Sequence, residues 1–538
     1  MTNKQIKRLI LALVTFVVLL KVLLSLLDSF SQPQAQSNLE LYQTNLVLHG
    51  AEVQVEQNIE LPGAESPAEL EQLSQALLGE NPYQNAQQQY EKARQETETN
   101  WANLQTQLQK ITAINLGSSE ESVVASLAEE SKSQQQIFLL QAIGEAQKSL
   151  DKLDVRIGIL QAQQGDRQAA LDTWNSVRQS AQADESRQQV REVATILSSL
   201  WSESPLILPD GEVQLEAYLD SWFRYRALRQ LYEVQGKQAQ LAQLQTQEQV
   251  YAQQAILKLS LIGAIPLVGG IGGVSLLIFL GVQWFAKKEQ SLLAAGGTPW
   301  DTPWDGEIIW QVMIVGFFFI SQIVLPIIFS VSLALLGLDP STLGLKAKAI
   351  SVLISYLLMA LGGLLVLYFS LKPFLPLSVD WFRFKGSKNW ILWGFGGYLV
   401  ALPLVVIVSL LNQQIWQGQG GSNPIISLAL EAQDTLALAI FFFTASIAAP
   451  VFEEIVFRGF LLPSLTRYFP VWTSIVVSSF VFAIAHLSLS EVLPLTTLGM
   501  MLGFVYTRSR NILAPMLLHS LWNGGTLLSL FVLGSGVG

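Results

Sequence analysis

The stretch VFEEIVFRGF, residues 451–460, follows directly on TLALAIFFFTASIAAP, residues 435–450. The leading string is apolar enough to enter a membrane, yet Glu453, Glu454 and Arg458 stand at its end. A charge at the centre of a membrane helix costs roughly 2.5–3.5 kcal/mol on insertion scales. Three of them need partners or a task. Glu454 and Arg458 are four residues apart, on one helix face, so the spacing predicts an ion pair within the helix. Glu453 lies about 100° round the helix, with no local partner, and faces elsewhere.

Composition sets the same frame. The chain has 538 residues, 50% hydrophobic and only 14% charged, which is low for a soluble protein and ordinary for a polytopic membrane protein. It has no cysteine, which excludes disulfides, thiolate metal sites and cysteine nucleophiles. The net charge of −10 is unevenly spread: residues 29–257 hold 30 acidic and 15 basic side chains, and the remainder 12 and 17. An acidic soluble part is thus joined to a mildly basic, apolar part, and an acidic domain argues against a nucleic-acid partner.

The fold class expected is all-α: a helical membrane protein of about nine spans with a helical soluble domain. Residues 1–29 open with Lys4, Lys7 and Arg8 before the apolar run 9–27. The run is long for a signal peptide and lacks a small-x-small cleavage site, so it is read as an uncleaved anchor. Residues 30–255, rich in Gln, Glu, Ala and Leu, read as helix throughout. Within them, GILQAQQGDRQAALDTW places small residues at Gly158, Gly165 and Ala170 and an aromatic at Trp174. That spacing is TPR-like, with small residues allowing close helix approach and the aromatic filling the groove. A weaker second pair surrounds Gly236. An ordinary helical bundle remains the alternative.

From Ile256 onward, apolar segments lie near 258–285, 308–337, 349–371, 390–412, 434–455, 470–487, 492–507 and 512–533. Each is consistent with crossing a core of ~30 Å. With Lys4, Lys7 and Arg8 cytoplasmic, alternation puts Lys287/Lys288, Lys372/Arg383/Lys385/Lys388, Arg458/Arg467 and Arg508/Arg510 on that same side. Lys346 and Lys348 are the exception. The expected topology has the N-terminus and the motif loops cytoplasmic and residues 30–255 extracytoplasmic. Residues 256–349 then form accessory helices and 350–538 a membrane domain that carries the chemistry.

The chain holds three histidines. His49 lies in the soluble part, and His486 and His519 in predicted membrane helices. A single membrane histidine often does no more than bond a neighbouring helix. Two of them with the glutamate pair, all within the last four spans, point to one shared site facing the protein interior. Phe482 and His486 are four apart, as are His519 and Asn523, so each pair lines one helix face. The HExxH zinc signature is absent.

EEIVFR (453–458), FAIAH (482–486) and HSLWN (519–523) resemble, in order, the EExxxR, FxxxH and HxxxN motifs of the CPBP family, also called Abi or type II CaaX prenyl endopeptidases. The motifs cover about 75 residues, and the likeness extends from about residue 350 to the end; the soluble domain and first spans fall outside it. The resemblance implies an intramembrane endopeptidase acting on membrane-associated peptide or protein substrates. In that reading Glu453 and His486 polarise a water, His519 and Asn523 donate to the oxyanion, Glu454 and Arg458 hold the geometry, and Phe482 packs the wall. No cofactor is favoured. Zinc held by Glu453, His486 and His519 is the other reading; Asn523, a poor zinc ligand and a good oxyanion donor, inclines the expectation to a metal-free glutamate mechanism.

The expected partners are a membrane protein or peptide substrate, the lipid bilayer and a protein partner at residues 30–255. Plasma and thylakoid membranes both fit. A non-catalytic scaffold, assembly or immunity factor on the same fold is the alternative function. A transporter would more often show matched halves with broken helices, which the sequence lacks.

Depth poses a difficulty. By the spans above, Glu453 lies near the cytoplasmic end of its helix, His519 about 12 Å in, and His486 about 24 Å deep at 1.5 Å per residue. They meet at one depth only if GFLLPSLTRYF (459–469) continues the helix, or if the helix of His486 is tilted or starts below the bilayer.

Overall fold

The computed structural model describes residues 2–30, 32, 36–53, 75–115, 123–182, 184–294, 298–337, 343–384, 389–416, 418–422, 428 and 434–534. Lys385 and Lys388 of the predicted basic loop lie outside them. The protein is an all-α polytopic membrane protein, with no β-strand among the described residues. Its described residues divide into two units, 2–32 with 264–534, and 36–263.

The soluble unit is built from α2 (Gln36–Gly50), α3 (Pro82–Asn115), α4 (Val123–Gln163), α5 (Arg167–Ser180), α6 (Gln188–Leu200), α7 (Gly211–Tyr218), α8 (Ser221–Gln235) and the first part of α9 (Gln238–Lys287). The helix pair predicted around Gly165 is α4 and α5. Gly165 turns the chain at φ +88°, a conformation open to glycine at little cost. Asp166 then caps α5 by accepting from the Ala169 N–H at 3.1 Å. Gly158 is where the two helices close: a Cβ there would lie 2.3 Å from Trp174 Nε1. Trp174 is fully buried and donates to the Val155 carbonyl at 3.1 Å, which satisfies its one polar atom. Gly236, at φ +67°, turns α8 into α9 in the same way.

The membrane unit holds α1 (Asn3–Phe30), the remainder of α9, α10 (Gly306–Leu335), α11 (Leu345–Leu371), α12 (Trp390–Trp416), α13 (Thr435–Leu465), α14 (Val471–Ile484), α15 (Val492–Ser509) and α16 (Leu513–Gly534). All nine predicted spans are helices, and seven of these are long and apolar enough to cross a membrane. The two that fall short are α14, with 14 residues, or about 21 Å at 1.5 Å per residue, and α15, with 18. Both turn small or polar residues inward. Gly499 of α15 sits where a Cβ would be 2.8 Å from the Ser479 side chain of α14, and Ser474, Ser478 and Ser479 are buried.

Loop contacts sort into two groups. In one group Arg8 pairs with Glu307 at 2.8 Å, the Trp300 N–H donates to Thr466, Trp381 Nε1 donates to the Asp301 carbonyl, and Ile512 N–H donates to the Arg383 carbonyl. In the other, Ser29 Oγ donates to the Gly420 carbonyl, Asn412 Nδ2 donates to the Ser490 carbonyl, and Ser490 Oγ donates to the Gly421 carbonyl. The loops that alternation put on one side are those that meet. A single buried cluster takes in Val18 and Val22 of α1, Phe317 of α10, Phe452 and Phe457 of α13, Phe482 of α14 and Tyr506 of α15. Helix α1 and the segment 308–337 are therefore packed into the same body as the helices of the predicted site.

Three stretches wind more widely than an α-helix: Val312–Val324, Thr444–Ala448 and Ile455–Leu461 are π-helical. Each ends two residues before a proline, Pro326, Pro450 or Pro463. A proline lacks the N–H for the bond four residues back, and its ring crowds that carbonyl. Widening the turn relieves the clash without breaking the rod. Pro266 and Pro403 sit inside helices that keep α geometry, so proline accompanies the wide turns without being sufficient for them.

Candidate active site

Helix α13 runs unbroken to Leu465, so the boundary expected near residue 455 is wrong. Pro463 and the charges looked like a membrane exit. Instead, Pro463 follows a wide turn, and Arg458 is fully buried. Glu453 accordingly lies in the interior of a 31-residue helix, which removes much of the expected mismatch in depth. Of the three remedies, helical continuation through the start of 459–469 is the one observed.

Glu454 is the hub. Its Oε1 accepts from Arg458 Nη1 at 2.9 Å, the predicted i,i+4 pair, and from His519 Nδ1 at 2.8 Å. All three groups are buried, with Glu454 and Arg458 wholly so. The guanidinium also donates to the Gly499 carbonyl at 3.2 Å and lies 4.4 Å over the Phe482 ring. The buried charge thus has a charged partner, a carbonyl and an aromatic face, while Arg458 Nε and Glu454 Oε2 stay buried with no hydrogen-bond partner among the described residues.

Glu453 has no hydrogen-bond partner on its own helix among the described contacts and finds one on another helix. Its Oε1 accepts from the Tyr356 hydroxyl of α11 at 3.0 Å. Its Oε2 stands 3.9 Å from His519 Nε2, and the side chain keeps 13% exposure. Tyr356 was missed in the sequence. A tyrosine in the middle of an apolar span, as Tyr356 is and Tyr368 near the end is not, must find an acceptor for its hydroxyl, and that was the signal for it.

His486 is not in a membrane helix. It lies in the turn just after α14, which ends at Ile484. Its Nδ1 meets the Phe482 carbonyl at 2.9 Å. No hydrogen bond or ion pair joins it to Glu453 among the described contacts. Phe482 links the parts instead: its buried ring is 4.9 Å from that of His486 and 5.7 Å from that of His519. Asn523 is half-buried, and its Nδ2 donates to the Ala445 carbonyl at 2.8 Å, which leaves one of its two N–H groups.

The bonds constrain the protons. An ionised Glu454 only accepts, so the contact at Nδ1 makes that nitrogen of His519 the protonated one. A neutral His519 then presents a lone pair at Nε2 towards Glu453 Oε2. The 3.9 Å between these two acceptors leaves room for a proton donor such as water to bond both. A zinc ion would need three donors converging at about 2.0–2.2 Å. Among the described residues no group of three or more His, Asp and Glu side chains is arranged to hold a metal ion. Glu453, His486 and His519 as placed do not fit that ion.

Residues 435–525 match the family profile described as type II CAAX prenyl endopeptidase Rce1-like. The matched region contains all three sequence motifs. This part of the chain is thus similar to the CPBP family that the motifs resemble. Among its relatives, YdiL of Bacillus subtilis (strain 168), which carries the assignment of membrane peptidase, is 28% identical over 133 residues, 25% of this chain and 53% of that protein. MroQ of Staphylococcus aureus (strain USA300), a membrane-embedded CAAX protease, is 25% identical over 188 residues, 34% of this chain and 74% of that protein. The chain thus spans about half the length of the first relative and about three quarters of the second. No solved structure gives a significant match. The matched region includes Glu453, Glu454, Arg458, Phe482, His486, His519 and Asn523, whereas Tyr356 lies outside it.

Proposed function

We propose that this CPBP domain is an intramembrane endopeptidase that hydrolyses a peptide bond of a membrane-associated protein or peptide with a glutamate-activated water. The observation that carries the reading is the double acceptor Glu454: by holding Arg458 and His519 Nδ1 at once, it aims His519 Nε2 at Glu453. Glu453, half-buried and held by Tyr356, is the base. It takes a proton from the water lodged between itself and His519, the oxygen adds to the scissile carbonyl, and the proton passes to the leaving amine.

The geometry favours His519 over His486 as the partner of Glu453 at that water. His486, with Nδ1 bonded to a carbonyl, offers Nε2 as a further acceptor along the same wall. The remaining N–H of Asn523 is the donor proposed for the oxyanion, where low dielectric strengthens it. The proposed topology keeps the basic loops, including Arg467 and Arg510, in the cytoplasm, with the soluble unit on the far side as a binding site for protein. If the short α14 and α15 were only a re-entrant pair, the side assigned to every later segment would be unchanged.

The test is a comparison of membrane-protein fragments in cells bearing wild-type, Glu453→Ala and His519→Ala protein, with purified protein assayed in strong chelator. Loss of fragments in both variants, with chelator-resistant activity, supports the reading. Full function in both variants favours a scaffold, and stoichiometric zinc required for activity defeats the metal-free step.

A further inference from the structure

We propose that the soluble unit carries a second hydrolytic site, with Ser221 as nucleophile, His49 as its base and Glu248 as the positioning carboxylate, acting on short-chain acyl esters. It rests on nothing in the membrane unit. His49, near the end of α2, has Nδ1 2.6 Å from Glu248 Oε1 of α9 and Nε2 2.8 Å from Ser221 Oγ at the start of α8. The imidazole and the carboxylate are 1% and 2% exposed. An ionised Glu248 can only accept, so Nδ1 carries the proton, Nε2 is the lone pair, and Ser221 donates its hydroxyl hydrogen to it. That is the order of a serine–histidine–carboxylate relay, recognised by geometry rather than by chain position.

A histidine satisfied on both sides can be merely structural. Two further observations point to a ligand. Ser221 is only half-buried and faces a cavity of about 290 Å³, lined also by Arg224, Tyr225, Gln247 and Tyr251. In addition, Ser221 takes φ +53°, a left-handed backbone that is costly for a residue with a Cβ and that clusters at functional sites. A structural hydrogen bond needs neither. The conformation sets Ser221 at the head of a 15-residue helix, and Arg224, which lines the cavity beside it, supplies N–H donors for an oxyanion. The cavity lies at the lower end of the range for small-molecule sites, which sets the size class of the acyl group.

The step balances without a co-reactant beyond water. Ser221 Oγ bonds to the ester carbonyl carbon as its proton moves to His49 Nε2. Collapse breaks the bond to the alcohol oxygen, which takes that proton and leaves as the alcohol. Water then adds to the acyl-serine with His49 again as base, and the carboxylic acid departs.

The experiment uses the full chain in detergent micelles, with a fluorophosphonate probe and p-nitrophenyl acetate. One adduct per chain is expected, mapped to Ser221 by mass spectrometry and lost in Ser221→Ala. In His49→Gln the labelling rate should fall at least ~100-fold, the scale of general-base catalysis. Glu248→Gln should slow it as well, with Glu248→Asp restoring most of the rate, as a purely structural role would not require. A folded wild-type protein that acquires no adduct at Ser221 overturns the proposal, as does His49→Gln labelled at the wild-type rate with its melting transition intact. Failure of Glu248→Asp to restore the rate overturns the role given to Glu248.

Discussion

Adjacent carboxylates in α13 should respond to the same conservative change in opposite ways. Glu454→Gln keeps volume and removes charge. It takes the counter-ion from a guanidinium that is 0% exposed and bonded to it at 2.9 Å, and the charged acceptor from His519 at 2.8 Å. Breaking a fully buried pair by removing one partner costs about 3–5 kcal/mol, because the other charge is stranded. The Gly499 carbonyl and the Phe482 ring, Arg458's other contacts, offset little of that.

Glu453→Gln acts on a side chain 13% exposed whose one direct hydrogen bond, from Tyr356, an amide oxygen can still accept. Its stability cost should stay within about 1 kcal/mol, while removal of the base lowers proteolysis by about 10²–10⁴-fold. Denaturant unfolding in micelles read by tryptophan fluorescence, beside cleavage of a membrane substrate, separates the two effects. The double change Glu454→Leu with Arg458→Met should recover most of the lost stability, since a buried pair exchanged for apolar groups is often neutral. It should not recover activity, because His519 loses the acceptor that orients it. Equal destabilisation by Glu453→Gln and Glu454→Gln would refute the division of roles.

Other expectations follow from single contacts. Tyr356→Phe removes the donor to Glu453 at 3.0 Å and should lower kcat several-fold with little change in expression, checked by cleavage kinetics. Gly158→Ala drives a methyl to 2.3 Å from the fully buried Trp174; overpacking of this kind costs about 1–3 kcal/mol and should lower the soluble unit's melting temperature. Glu212, outside the membrane, has its carboxyl pulled below the ordinary 4.5 by hydrogen bonds from Tyr232 and Lys237, partly offset by burial. A depressed folded value means its stabilisation is complete well above 4.5 and is lost as pH falls through and below that range. Glu212→Gln should therefore flatten the acid limb of the stability profile.

Much of this was readable in the sequence because hydropathy reports the bilayer directly. The nine apolar segments all lie in helices, two of which run ten or more residues past an expected bound, and the Glu454–Arg458 spacing became a bond. What hydropathy cannot see is which polar atom meets which. Tyr356 lies 97 residues before Glu453, and only tertiary packing joins them. The end of α13 was misplaced because Arg458 and Pro463 were read as exit signals, when one is neutralised in place and the other is accommodated by a wide turn. The placing of His486 on a helix failed for a local reason: Leu487, beside it, takes φ +57°, where an α-helix cannot continue.

The wide turns also bear on how such chains are aligned. Ala449 N–H bonds to the Thr444 carbonyl and Leu462 N–H to the Phe457 carbonyl, each five residues back. Each wide turn thus holds one residue more than an α-turn requires. Deleting one would leave a shorter helix with its ladder intact, so hydrogen bonding would not oppose the loss. Everything beyond the deletion would swing by about 100° round the axis. In a comparison of relatives, a one-residue gap beside the glutamate pair is therefore a rotation of the site rather than a trimming of the chain, and it can separate an arginine from its carboxylate without altering the hydropathy profile.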